Sequence, residues 1–486
     1  MSERVRFFLQ WASRYSFHCV LFVAATAASI WIALNVGVLG EIPQGYFSRG
    51  VHLETELDYA AGLLWWSLLA VVLWLLGGAD RQHLLIAWTI KFFVVLVAML
   101  FYEYKYRYNL DTFGYFNTVL TGYFEFYPGV DWFRESWIPS LVEVVGTGPG
   151  EGRLLTQSAG TENMLKILLI IAQVTGPYFH ALKVLYAFLG FIGTWFVYRA
   201  VVVIVGRPFL PAFYGLVLYP SILFWSAILG KDPLFLLFIG LYAYGGALWL
   251  VQASPRGLAW VVLGLLGSFL FRPWTAAIEA APLLLATLVK FFGLRPVVFV
   301  CVVVAPGILY GTDLSASFQL METSALLEEL AVKAGGAASE EGSGTGFDFV
   351  EAQDMLSSPQ GILIIIFSGL FRPLPFDVTN LMVAMAAVEN SILLVLTLVA
   401  FRYLRWARLE QPVFLWALTY SLTWSGAYGL IVLSNFGSGM RYKLQVLPFI
   451  VLFLFLLLTR EGRAALDRIG FQGRAPGSGV DGSQDA

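Results

Sequence analysis

The sequence predicts an all-α polytopic integral membrane protein, with about twelve transmembrane helices and two long external loops carrying membrane-parallel helices. Three observations lead there. The 486 residues are 58% hydrophobic and 13% charged, against roughly 25% charged in a soluble domain. The apolar residues fall in runs close to the ~20 needed for a helix to cross a hydrocarbon core about 30 Å thick. Arginine and lysine gather in alternate loops, the asymmetry that sets orientation.

Taken in order, crossings are expected at 17–40, 59–78, 83–102, 177–203, 208–228, 233–252, 257–271, 275–293, 296–310, 378–401, 412–433 and 444–459, of which 257–271 and 296–310 are short. The first run contains "AATAAS", a peptidase-like stretch, but continues well beyond it and reads as an uncleaved span. A cytoplasmic N-terminus puts "FRYLRWAR" (401–408) and "TREGRAALDR" (459–468) on the basic-rich side and leaves 103–176 and 311–377 outside. Residues 1–469 then form one transmembrane domain, and 470–486, rich in Gly, Ser and Asp, a disordered cytoplasmic tail. The lack of an Asn-x-Ser/Thr acceptor favours a bacterial inner membrane. Cys19 and Cys301 make no CxxC pair, and His18, His52, His83 and His180 are scattered, so neither a disulfide framework nor a transition-metal centre is expected. Nor is a nucleic-acid partner.

Chemistry is sought on the outer face. Asp111 opens "DTFGY", a carboxylate at an apolar boundary followed four residues later by Tyr115. Such a carboxylate suits a general base; its plainer role is a helix N-cap. Lys231 and Asp232 interrupt the apolar stretch "YPSILFWSAILGKDPLFLLF" (219–238). A lysine there suits a phosphate as a point charge, with the aspartate orienting it or holding a cation, and a water-boundary turn is the alternative. The tetrapeptide "LFRP" occurs at 270–273 and again at 370–373, each copy after an apolar run. Proline breaks the helix behind Arg272 and Arg372, and an arginine costs roughly 2.5–3.5 kcal/mol at mid-membrane unless it reaches the interface. "SNFGSGMRYKLQVLPF" adds Arg441. Lys231, Arg272, Arg372 and Arg441 are expected on one face, which implies an anionic ligand such as a lipid-borne phosphate.

"DTFGY", "PSILFWSAILGKD" and "RYKLQVLP" together resemble segments of the GT-C superfamily of polytopic glycosyltransferases. The likeness covers most of the chain as architecture and about forty residues as motif. It implies an inverting transfer from a polyprenyl-phosphate-linked sugar donor to a hydroxyl on a glycan, lipid or protein acceptor at the periplasmic face, in cell-envelope polysaccharide biosynthesis. It further implies Asp111 as base, with Lys231, Arg272, Arg372 and Arg441 on the lipid phosphate. Tyr104, Tyr115 and Trp132 would lie against the sugar, and Asp232 beside the substrate. No cofactor is singled out, and a divalent cation held by Asp111 with Asp232 stays open. One departure matters: two extra spans precede Asp111, so Glu54, Glu56 and Asp58 of the first outer loop are rival bases. Two other functions compete. One is a polysaccharide polymerase or ligase using lipid-diphosphate donors; such polymerases have glycine eleven residues after the arginine, where this chain has Leu283 and Val383. The other is a transporter or flippase of an anionic lipid, with Lys91, Lys183, Glu279 and Glu389 as coupling residues.

Overall fold

A computed structural model describes residues 23, 24, 27, 55–99, 103, 111–125, 157–300, 355 and 358–472. The described residues are helical throughout, without a strand. In chain order the helices are α1 (Thr55–Leu76), α2 (Arg81–Phe93, running into a π turn at Val94–Ala98), α3 (Asp111–Glu125), α4 (Gln157–Thr175) and α5 (Phe179–Val205). Then come α6 (Leu210–Val217), α7 (Pro220–Trp225), α8 (Lys231–Gln252), α9 (Pro255–Phe271), α10 (Pro273–Phe292) and α11 (Leu294–Phe299). The last are α12 (Pro359–Phe371), α13 (Leu381–Phe401), α14 (Trp406–Leu409), α15 (Pro412–Ser434), α16 (Phe436–Tyr442), α17 (Leu447–Leu458) and α18 (Arg460–Gln472).

Six of these stretches are long and apolar enough to cross a membrane: Leu57–Leu76, Gly78–Ala98, Phe179–Val205, Lys231–Gln252, Pro273–Phe292 and Leu381–Phe401. A bent pair, Phe436–Gln445 with Leu447–Leu458 at 61°, brings the number to seven if it is one span. Twelve crossings are therefore not reached among the described residues. The expected span 208–228 is corrected: α6 stops at Val217, and Pro220, which has no amide hydrogen to donate, opens the separate helix α7. The expected 257–271 is α9, apolar but only 17 residues long. The expected 412–433 is α15, 23 residues without a charge, yet crowded with Trp, Tyr, Ser and Thr. Most of the run 17–40 and most of 296–310 lie outside the described residues. The two segments expected as external loops contain α3, α4 and α12.

The chain divides into two compact units. The first comprises residues 1–195, 217–238 and 270–272. There α1 and α2 are joined by Trp66 and Trp88, each indole donating to the other's carbonyl at 3.5 and 3.2 Å, and by the Tyr59 hydroxyl on Leu96 O at 2.8 Å. Close backbone approach is built into α5, where a Cβ on Gly193 would overlap the Leu236 carbonyl. The second unit comprises 196–216, 239–269 and 273–486. At its centre α15 packs against α10, α12, α16 and α17. Its polar side chains are used inward: Trp416 Nε1 donates to the Tyr242 hydroxyl at 2.7 Å, which donates to Glu279 O at 2.5 Å, and Tyr420 stacks on Phe449 with centroids 4.0 Å apart. At one end Arg468 of α18 donates to Ile204 O at 2.8 Å, beside Gly206, whose φ of 81° suits glycine alone.

Candidate functional site: two broken helix ends

In the first unit, α9 ends one residue before Arg272, because the following Pro273 disfavours the helical conformation for Arg272 and serves as the first residue of α10. Carbonyls near such an end lose their intrahelical donors. Asn163 of α4 supplies one, its side-chain amide donating to Leu270 O at 2.7 Å. Gly160, one turn earlier on α4, leaves room for the Phe271 carbonyl, which any Cβ would overlap. Arg272 is buried, and its guanidinium lies 5.0 Å from the centre of the Phe235 ring. Phe235 is one turn beyond Lys231 on α8, so the first "LFRP" meets the start of α8, where Lys231 and Asp232 are also buried. Asp232 in that first turn complements the positive end of the helix.

The turn before Lys231 is held from α2. Lys91, buried, donates to Leu223 O at 2.7 Å and Ser226 Oγ at 2.5 Å, so an ammonium caps the end of α7. From the sequence this anchoring lysine is expected only as a coupling residue of the transport alternative.

In the second unit, α12 ends at Phe371, and Arg372 adopts extended backbone before a cis peptide to Pro373. Again the bared carbonyls are claimed by side chains of later helices. Lys443 Nζ donates to Arg372 O at 3.0 Å and to Asn390 Oδ1 at 2.9 Å, and Asn390 Nδ2 donates to Pro373 O at 3.0 Å. The Arg372 guanidinium is gripped on one edge by Asp377: Nε donates to Oδ2 at 3.0 Å, and Nη2 donates to Oδ1. Leu374 N donates to the same carboxylate at 2.8 Å. The rings of Phe436 and Phe376 lie 5.3 and 6.0 Å from the guanidinium carbon. Burial on its own would raise the Asp377 carboxyl, but the hydrogen bonds from Arg372 and Leu374 and the charge of Arg372 hold it below the usual aspartate range. Arg441 sits near the end of α16, in this same unit.

Asp111 is the first residue of α3 and is exposed. The opposite face of that short helix is buried: Phe113 stacks on Phe179 at 4.9 Å and Phe116 meets it edge-on at 5.3 Å. Tyr115 is half-buried. Tyr104, Trp132 and Glu54 lie outside the described residues, and Glu56 is on α1. Asp58 is buried and bonded to His180 Nδ1, with the His180 amide also donating to it at 3.3 Å, so this rival carboxylate is committed to an imidazole. A turn along α5, Lys183 is buried and pairs with both oxygens of Glu103 at 3.0 and 3.1 Å.

Thus the structure gathers Lys231, Asp232 and Arg272 around the start of α8 in the first unit, which also holds Asp111, while Arg372 and Arg441 belong to the second. Asp377, Asn390 and Asn163 were missed, as were the bracing roles of Lys443, two residues after Arg441, and of Lys91, expected only as a coupling residue of the transport reading. Asp377 had a readable signal, a carboxylate five residues after an arginine in "RPLPFD". The others act across 17 to 135 residues of sequence and had none. Among the described residues no group of His, Cys, Asp and Glu is arranged to hold a metal. Fold and site together define an all-helical protein with several helices apolar enough to cross a membrane. No protein-family model, curated protein or solved structure matches the chain.

Proposed function

We propose that this protein is a membrane glycosyltransferase of GT-C type, which moves a sugar from a polyprenyl-phosphate-linked donor to an acceptor hydroxyl at the external face of a bacterial inner membrane, through about twelve crossings. The observation that carries the reading is the repeated broken helix end. Two "LFRP" sequences each place an arginine where a helix stops, and each is braced by side chains from another helix. A charge is expensive inside a membrane, and a fixed backbone around it is what anion recognition requires.

In this scheme Asp111, exposed at the start of α3, takes the proton of the acceptor hydroxyl as its oxygen attacks the anomeric carbon. The bond from that carbon to the phosphate oxygen breaks, inverting the configuration. Lys231 and Arg272, in the same unit as Asp111, are assigned to the charge gathering on the departing lipid phosphate, and Arg372 and Arg441, in the second unit, are likewise assigned to lipid phosphate. Tyr115 on the same helix is placed to lie against the sugar.

The test uses purified protein in detergent with a polyprenyl-phosphate sugar. Asp111→Asn should lower transfer by about 10²–10⁴, the usual contribution of a general base, while donor binding persists. Parental transfer rates in Asp111→Asn would refute the assignment of the base, and no transfer to any acceptor by the parent protein would refute the function.

A second reading, transport of an anionic lipid, is favoured by one observation. Glu279 of α10 is fully buried, Ser268 donates to its Oε1 at 2.8 Å, and Oε2 has no partner among the described residues. Intramembrane carboxylates of this kind carry protons or ions in transporters. Flip of a fluorescent anionic lipid in proteoliposomes, lost in Glu279→Gln, would select it.

A further inference from the structure

We infer that Asp377 is a positioning residue, holding Arg372 so that the outer edge of its guanidinium forms a ready-made site for a phosphate oxyanion. The inference rests on the reading above and adds to it a residue and a geometry. A guanidinium has five N–H donors. Asp377 takes one on Nε and one on Nη2. The three left are both hydrogens of Nη1 and the second of Nη2, and among the described residues nothing accepts them. They form the end-on fork, which spans two oxygens of a phosphate as well as the side-on edge spans a carboxylate. The side chain is 27% exposed while Asp377 is 4% exposed, so the carboxylate is the buried brace and the guanidinium the accessible partner. Phe436 and Phe376 limit swinging of the plane, and the Leu374 amide fixes Asp377 in turn. The backbone beneath is tied down by Lys443 and Asn390. A ligand displacing Asp377 would have to break three hydrogen bonds, whereas one docking end-on breaks none.

The probes are farnesyl phosphate, farnesol and inorganic phosphate, with binding measured on the purified full-length chain. The parent should prefer farnesyl phosphate to farnesol, and Arg372→Lys should abolish most of that preference. Asp377→Asn should weaken farnesyl phosphate about tenfold, the lower end of what removing a supporting partner costs at metal sites, and leave farnesol binding unchanged. Asp377→Glu, which keeps the charge, should recover part of the loss and guards against a folding defect in the amide variant. Tighter farnesyl phosphate binding by Asp377→Asn would make Asp377 a competitor of the ligand and overturn the inference. So would unchanged binding in Asp377→Asn and Asp377→Glu, or in Arg372→Lys, while the parent still prefers the phosphate. A parent that does not distinguish farnesyl phosphate from farnesol would refute the underlying lipid-phosphate reading. Competition by inorganic phosphate at similar concentration would assign the site to free phosphate and overturn its lipid-borne form.

Discussion

Replacing Asn163 with leucine tests whether the first broken helix end depends on its brace. Leucine keeps the branched, four-heavy-atom outline of asparagine with somewhat greater bulk, but the amide that donates to Leu270 O at 2.7 Å disappears. Asn163 is buried, so water does not readily replace it. A lost hydrogen bond of about 1 kcal/mol combines with an orphaned carbonyl costing roughly 1–3 kcal/mol, against which leucine recovers some hydrophobic burial. The net expectation is a loss of about 2 kcal/mol. For a unit of roughly 150–250 residues that lowers the midpoint by about 4–8 °C. Because membrane proteins often unfold irreversibly, the half-life at a fixed elevated temperature should be followed beside the thermal scan. Below the transition, Asn163→Leu should also weaken donor binding, because the carbonyl it releases is two residues from Arg272. A midpoint within a degree of the parent, with unchanged donor affinity, would refute the claim that this amide holds the helix end.

Two further outcomes follow from buried charges. Asp377 has its folded-state carboxyl held below the ordinary range, so it contributes stability that is present above the unfolded aspartate value near 3.9 and is lost as pH falls through the lower folded value. Acid unfolding of Asp377→Asn should therefore show a shallower loss of stability below about pH 4 than the parent, and an identical acid limb would count against the pairing. Glu103→Gln removes the carboxylate facing the buried Lys183 and should cost about 3–5 kcal/mol. Adding Lys183→Met should restore much of that, because the stranded ammonium goes with it, and a double variant as unstable as the single one would contradict the argument.

Some of this was legible before any coordinates. Apolar runs near twenty residues located the stretches that became α1, α5, α8, α10 and α13, because burial of side chains in lipid needs only composition and length. Composition also located α15, where 412–433 was expected. It is uncharged and long, but its Trp416, Tyr420, Trp424 and Tyr428 are used for contacts within the protein, which a hydropathy average cannot express. It also let 208–228 read as one span, although Pro220 was in plain sight to break it. Broken ends at both "LFRP" copies were expected from proline chemistry. What braces them was not, since Asn163 reaches across 107 residues and Lys443 across 71. Asp58 and His180, 122 residues apart, gave no joint signal either.

The π turn at Val94–Ala98 sets the angular phase of everything around it. One extra residue in a turn advances the helix by about 100° relative to an uninterrupted α-helix. Before the wide turn, Lys91 points at Leu223 and Ser226; within it, the Leu96 carbonyl faces Tyr59. The regular part of α2 already meets α1 through Trp88 while Lys91 holds the α7 turn, and the wide turn adds the Leu96 carbonyl to the contact with α1. The wide turn thus works like a slot cut in a shaft, baring one carbonyl of a hydrophobic helix to the Tyr59 hydroxyl of α1. Shortening the helix by one residue there would leave its length and hydrophobicity almost unchanged, yet it would close the slot and return that carbonyl to the helix ladder.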